Sequence, residues 1–129
     1  MTYRKEELAE FSESLCCLPT SETQTAWESS LRFCSRTRYG LDETRFANIE
    51  QCSAEGHATT DWLAERCVGK VICVSYEEEA IFETTAEFFL GHWEDLFQPS
   101  RDDAIILSQD ADWVLFYSHE EEFEFARLD

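Results

Sequence analysis

Three short segments near the C-terminus have strand patterns: the apolar runs AIIL at 104–107 and WVLFY at 113–117, and the alternating run EEFEF at 121–125. The first two are separated by SQDAD, a polar stretch of hairpin length, which predicts two antiparallel strands joined by a turn. In the third run, Phe123 and Phe125 should point to one face and Glu122 and Glu124 to the other, because side chains alternate along a strand. The pattern therefore predicts a C-terminal antiparallel sheet with an outward row of glutamates.

Helical spacing dominates upstream of these runs. Apolar residues at 82, 86, 89, 93 and 96 are separated by 4, 3, 4 and 3 positions, which predicts a helix that ends before Pro99. Similar spacing predicts helices over 8–18, 21–34, 46–52 and 60–67, although 27–35 also fits the alternation of a strand. The VICV run at 71–74 predicts a buried strand. The expected fold class is α+β, with N-terminal helices packed on a C-terminal antiparallel β-sheet.

The composition indicates one folded domain spanning residues 1–129. The chain has 129 residues, of which 43% are hydrophobic and 14% aromatic, so it can build a core. Acidic chains that stay disordered are poor in aromatic residues. No apolar run reaches the 18 residues that a membrane span needs, and the first residues carry no apolar signal segment. We therefore expect a cytoplasmic protein with reduced cysteines.

The net charge of −18, from 28 acidic and 10 basic residues, limits the possible partners. Nucleic acids and anionic membranes are unfavourable partners, because binding to both depends on Lys and Arg. A basic protein surface is the natural partner, since complementary charge speeds encounter. The oligomeric state does not follow from the charge.

The negative charge is concentrated in the second half of the chain. Residues 66–129 hold 16 acidic and 4 basic groups, including the acidic runs 77–79, 102–103 and 120–122. Each run lies at the end of a predicted element, so the three can converge on one rim of the sheet. The alternative is that each run is only a solvated turn.

Catalytic and metal chemistry find little support in the sequence. The six cysteines include no Cys-x2–4-Cys pair of the kind that zinc sites use. Cys73 with His92 or His119 offers a formal nucleophile and base, but nothing near Cys73 would activate its thiol. Carboxylate pairs are so abundant that they arise by chance. We expect no enzyme, no catalytic residue, no metal site and no cofactor; a small carboxylate enzyme using a divalent ion is the weakest alternative.

Two segments, GHWEDLFQPSRDD at 91–103 and DWVLFYSHEEEF at 112–123, resemble the C-terminal part of small bacterial immunity-type proteins. The resemblance covers about a quarter of the chain. It implies an antitoxin that binds a cognate basic toxin directly and occludes its active site. The alternative is an acidic regulatory or adaptor domain that binds another basic protein or mimics nucleic-acid charge.

The residues expected to contact the partner are mainly the C-terminal acids, with an aromatic anchor at the centre of the interface. Trp93 and Trp113 are the candidate anchors, and core packing is the alternative for both. The expected partner-binding residues are Asp102, Asp103, Glu120, Glu121, Glu122, Glu124 and Trp93.

Overall fold

The computed structural model describes residues 8–109 and 112–128, and these residues form a mixed α+β structure with more strand than helix. The predicted α+β class is therefore confirmed. The helices are α1 (Thr20–Leu31), α2 (Thr59–Arg66) and α3 (Ala86–Leu96), preceded by a 3₁₀ helix at Ala9–Phe11. The strands are β1 (Cys16–Cys17), β2 (Glu50–Ser53), β3 (Val71–Glu77), β4 (Ala80–Thr85), β5 (Ala104–Ser108), β6 (Trp113–Ser118) and β7 (Glu122–Arg127).

The seven strands form one antiparallel sheet in the order β1-β4-β3-β5-β6-β7-β2. The predicted strands β5, β6 and β7 are confirmed, with Ala104 opposite Tyr117 and Ser118 opposite Glu122. The sheet is not confined to the C-terminal half, because both edge strands, β1 and β2, come from residues before 54. Residues that are far apart in the chain therefore meet at the same ends of the sheet.

Two predicted helices are wrong, and in both cases strand pairing replaces the helix. The segment 8–18 turns helical only at Ala9–Phe11 and then forms β1, where Cys16 pairs with Glu83 of β4. The segment 46–52 contains no helix; β2 begins within it at Glu50, and Cys52 lies opposite Phe123 of β7. Helical spacing is a weak prior for such short segments, because an available sheet edge supplies backbone hydrogen bonds that the spacing does not encode.

The helix over Ala86–Leu96 is shorter than its apolar spacing predicts. Phe82 belongs to β4, and the Thr85 hydroxyl accepts a hydrogen bond from Phe88 N at 3.0 Å, which caps the helix there. The segment 27–35 lies in and after α1, so the strand alternative is wrong for it. Within the described residues, no helix combines the length and apolarity that a bilayer crossing requires.

Buried residues on the two faces of the sheet form two clusters. The larger cluster contains Leu63, Phe89, Trp93, Phe123 and Phe125, so it includes side chains of α2, α3 and β7. The smaller cluster lies on the opposite face and joins β5, β6 and β7 to the segment after α1; its members include Phe33, Leu41, Phe46, Ile105, Val114 and Phe116. Since strand side chains alternate, this second cluster means that the outward face of β7 is also covered.

Candidate functional site

The strand register places the three acidic runs at one end of the sheet. Glu77 ends β3, and residues 78–79 connect it to β4. Ser75 of β3 lies opposite Ile105, next to Ala104 at the start of β5. The start of β5 lies beside the end of β6, whose turn into β7 spans 119–121. Seven acidic residues therefore share this end and are called the acidic rim: Glu77, Glu78, Glu79, Asp103, Glu120, Glu121 and Glu122.

Most carboxylates of the acidic rim face solvent. Glu78, Glu79, Glu120 and Glu122 are exposed, and the other three are half-buried. Their field reaches a neighbouring buried group: burial raises the pKa of the Tyr117 hydroxyl to about 12, and Glu121, Asp102 and Asp103 also raise it. Carboxylates concentrated at one end produce a potential that attracts cationic surfaces over a distance.

Asp103 organises the turn between β6 and β7. Its Oδ1 accepts a hydrogen bond from His119 N at 2.9 Å and lies 3.0 Å from His119 Nδ1. Glu121, in the same turn, has a φ of 61°, a left-handed conformation that favours Gly or Asn. The turn is therefore held in one shape, and Glu120 and Glu122 are presented from a defined backbone.

Asp102 was expected to face a partner, but it is only 2% exposed. Its Oδ2 accepts a hydrogen bond from Gln98 N at 2.7 Å, and its Oδ1 lies 2.9 Å from Arg101 Nε. The carboxylate thus closes the loop between α3 and β5. The expectation of an exposed Asp102 is wrong, because the backbone of this loop needs a buried acceptor.

Glu124 was expected to belong to an outward row, and it is also buried, at 6% exposure. It does point away from Phe123 and Phe125, but the second core cluster covers that face. Its carboxylate forms an ion pair with Arg38, with Oε2 2.6 Å from Nη1 and Oε1 3.0 Å from Nη2. Leu41 N donates to it at 2.9 Å and Gln51 Nε2 at 3.0 Å. The outward row is therefore reduced to Glu122.

The pKa of Glu124 reflects this network. Burial by itself would raise the pKa, but the hydrogen bonds from Arg38, Leu41 and Gln51 and the charge of Arg38 outweigh it and hold the pKa below its ordinary value. Glu124 is therefore a charged carboxylate inside the fold at neutral pH. It ties the segment after α1 to β7.

The loop that Glu124 holds presents an exposed aromatic side chain next to the rim. Cys34 and Leu41 form a β-bridge at the base of the loop, and Ser35 N donates to Gly40 O at 2.8 Å across it. Tyr39 lies near the tip and is 62% exposed. Its ring lies edge-on to His119, with centroids 4.6 Å apart. The sequence did not suggest Tyr39, because its position depends on the long-range pair between Arg38 and Glu124.

Both tryptophans proposed as anchors are core residues. Trp93 is 6% exposed, donates from Nε1 to Thr60 Oγ1 at 3.0 Å and packs edge-on to Phe123. Trp113 is 1% exposed and donates to Val68 O at 2.7 Å. Trp93 is therefore not exposed as an interface anchor would be, and core packing, the alternative, describes both tryptophans.

Several cysteine thiols are held in their protonated form. Burial raises the pKa of Cys34 and of Cys67 to about 12, and that of Cys73 to about 11. A thiol with such a pKa is a poor nucleophile and a poor metal ligand near neutral pH. Across the described part of the chain, no three His, Cys, Asp or Glu side chains are grouped so that they could hold a metal ion.

Comparisons with known proteins identify no relative of this chain that would assign a role to the site. No protein-family model matches the chain, and no curated protein is significantly similar to it. The arrangement consists of a carboxylate-rich end of a sheet with one exposed tyrosine beside it. Such an arrangement produces a negative potential at this end of the sheet.

Proposed function

We propose that this chain is an inhibitory binding protein, most specifically an immunity protein that neutralises a cognate basic toxin by covering its active site. The observation that supports this proposal best is the meeting of three acidic runs, distant in sequence, at one end of the sheet. The likeness of segments 91–103 and 112–123 to immunity-type proteins points in the same direction.

The acidic rim would supply the attraction. Seven carboxylates at one end of a chain with net charge −18 accelerate encounter with a basic surface and orient the approach. Exposed charges of this kind contribute more to the association rate than to the lifetime of the complex. The proposed interface therefore also needs an apolar centre.

Tyr39 would supply that centre in place of Trp93. It is exposed, it is the aromatic residue that packs against the rim turn, and tyrosine is enriched among residues that dominate binding energy. The buried pair of Arg38 and Glu124 fixes the loop on which Tyr39 is carried. In this scheme Glu124 acts as a positioning residue, whereas Asp103, Glu120, Glu121 and Glu122 would face the toxin.

Capture of the partner tests the function directly. The chain, immobilised through its N-terminus, is incubated with lysate of its own source, and the retained protein is identified by mass spectrometry. The captured protein is then expressed alone and together with the chain. An immunity role requires that the partner arrests growth when alone and that co-expression restores growth; a basic partner that is harmless when expressed alone would favour the adaptor alternative.

The interface is tested with two triple variants of equal charge change. The rim variant is Glu78→Gln, Glu120→Gln and Glu122→Gln, and the control is Glu65→Gln, Glu87→Gln and Asp112→Asn, whose exposed acids lie away from the rim. The rim variant should lower the association rate roughly tenfold at low salt, and the control should change it by much less. Equal effects of the two variants would reduce the role of the rim to net charge alone.

A further inference from the structure

A cavity of about 860 Å³ lies at the other end of the sheet, and its lining differs from the rest of this acidic surface. It is bordered by Arg32, Arg45, Arg127, Asn48 and Glu50, with Phe33 and Phe46 also in its wall. Cavities that bind small molecules are typically of this size. Three arginines around one cavity form an unusual concentration in a chain with ten basic residues.

These arginines also lack carboxylate partners. Among the described residues, Arg38, Arg66 and Arg101 each form an ion pair. The arginines with no carboxylate oxygen within 4 Å, among the residues that the structure describes, are Arg32, Arg36, Arg45 and Arg127, and all but Arg36 border the cavity. In a protein with 28 acidic residues, cations left unpaired at one place indicate a site that an external anion can fill.

Phe33 contacts the guanidinium groups of both Arg32 and Arg45. The guanidinium carbon of Arg32 lies 5.0 Å from the centroid of the Phe33 ring, and that of Arg45 lies 4.9 Å from it. The two groups are therefore at most about 10 Å apart. A guanidinium that contacts an aromatic ring through its face keeps its in-plane N–H donors for other partners. Both side chains are exposed, so those donors are accessible to a ligand.

Among the residues that the structure describes, Glu50 and Asp42 lie beside these arginines, and both are engaged by other groups. Glu50 Oε1 is engaged by Arg66, 2.8 Å from Nη2 and 3.1 Å from Nε. The carboxylate of Asp42 accepts hydrogen bonds from the hydroxyl and backbone N–H of Thr44. Those bonds, and then the positive charges of Arg45 and Arg36, keep the pKa of Asp42 below its ordinary value. The charge of Arg45 therefore affects the pKa of Asp42, although the two side chains form no ion pair.

The cavity lies far enough from the acidic rim that solvent ions screen the repulsion between the rim and an anion in the cavity. Glu122 begins β7 at the rim and Arg127 ends it at the cavity, so the two ends are about 17 Å apart at roughly 3.3 Å per residue. This is about twice the Debye length of roughly 8 Å at physiological ionic strength. An anion can therefore approach the cavity although the chain as a whole is strongly negative.

We infer that the cavity between Arg32, Arg45 and Arg127 is a binding site for a small phosphate-bearing anion. Each guanidinium presents a planar fork of donors that matches two phosphate oxygens, and a phosphate dianion can use two forks at once. A single carboxylate is neutralised by one fork and would gain less from the arrangement. The inference is independent of the proposed toxin-binding role, because it concerns the opposite end of the sheet.

The test is a titration of the ¹⁵N-labelled protein with inorganic pyrophosphate, at constant ionic strength set with sodium chloride. Saturable shifts are expected at the backbone amides of Phe46, Ala47 and Asn48, which line the cavity. Shifts that rise linearly without saturation, or that spread evenly over the surface, would overturn the inference. Acetate at the same ionic strength should leave these amides unshifted; saturation equal to that of pyrophosphate would refute the selectivity for phosphate.

Variants connect the binding to the two arginines. Arg32→Gln with Arg45→Gln should raise the dissociation constant for pyrophosphate by at least about tenfold. Arg36→Gln is the matched control, since Arg36 is exposed and unpaired but does not border this cavity, and it should bind as the parent does. Unchanged affinity in the double variant would refute the site. Circular dichroism checks that each variant is folded.

A third variant separates the guanidinium forks from simple charge. Arg32→Lys with Arg45→Lys keeps both charges but removes the forks. We expect weaker pyrophosphate binding than in the parent and tighter binding than in the glutamine pair. Affinity equal to that of the parent would contradict recognition by forks and would leave only a diffuse positive patch.

Discussion

Truncation of Glu124 to alanine should destabilise the fold by about 2–4 kcal/mol, because three donors converge on this carboxylate. Loss of the acceptor for the Leu41 N–H contributes most, since Leu41 is fully buried and an unsatisfied buried donor costs about 1–3 kcal/mol. Arg38 is 32% exposed and Gln51 is exposed, so both can turn to water, and their loss adds only about 1 kcal/mol.

The measurement is urea unfolding at pH 7, followed by tryptophan fluorescence, since Trp93 and Trp113 are buried in the fold. The midpoint should fall while the slope with urea stays constant, which indicates a change of stability alone. Glu124→Gln is the isosteric control: its amide oxygen can still accept from Leu41 N, so it should cost only about 1–2 kcal/mol. A loss below about 0.5 kcal/mol for Glu124→Ala would show that Glu124 is not a buried anchor.

The same pair of proteins gives a pH signature of defined sign. The pKa of Glu124 is lower in the folded protein than its ordinary value, although burial alone would raise it. Its contribution is therefore complete above the unfolded glutamate pKa of about 4.3 and is lost as the pH falls through the lower folded pKa. The stability difference between the parent and Glu124→Gln should shrink over that acid window. A difference that grew on acidification would contradict the network.

Three further results are expected. Gly40→Ala should lower stability by about 1–3 kcal/mol in urea unfolding, because the added Cβ would overlap the guanidinium of the buried pair. Its effect should not add to that of removing the carboxylate, since both break one network. Glu121→Asn should raise the free energy of unfolding by about 0.5 kcal/mol or less, because Asn tolerates the positive φ better, and the thermal midpoint should rise slightly with it; a lower midpoint would argue that the glutamate is held by contacts. In reaction with a chromogenic disulfide at pH 8, Cys16 and Cys17 should react in the native state because they are exposed, whereas Cys67, with a pKa raised to about 12 by burial, should react only after unfolding.

Local sequence patterns were sufficient for the buried strand at 71–74, for the C-terminal strands and for three helices, although α3 begins later than its apolar spacing predicts. The runs at 104–107 and 113–117 alternate or are uniformly apolar and have a hairpin-length connection, and they form β5 and β6. The inward direction of Phe123 and Phe125 also followed from strand alternation, and both are fully buried. Patterns of this kind succeed because the information lies within a few neighbouring residues.

The edge strands could not be predicted in the same way. β1 has two residues and β2 has four, and both exist because β4 and β7 offer free edges to pair with. Their own residues are mostly exposed, and no alternation of apolar and polar residues marks them as strands. Pairing with a distant strand is a tertiary event.

By itself, the sequence determined the net charge of −18, the α+β class and the three acidic runs at element ends. Only the tertiary structure decided which carboxylates are available. Asp102 and Glu124 are identical in chemistry to their exposed neighbours, yet both are buried because a loop backbone and Arg38 require them as acceptors. Tyr39 and the arginine cavity were decided in the same way. Charge is a sum over residues, whereas exposure and pairing depend on which distant segments meet.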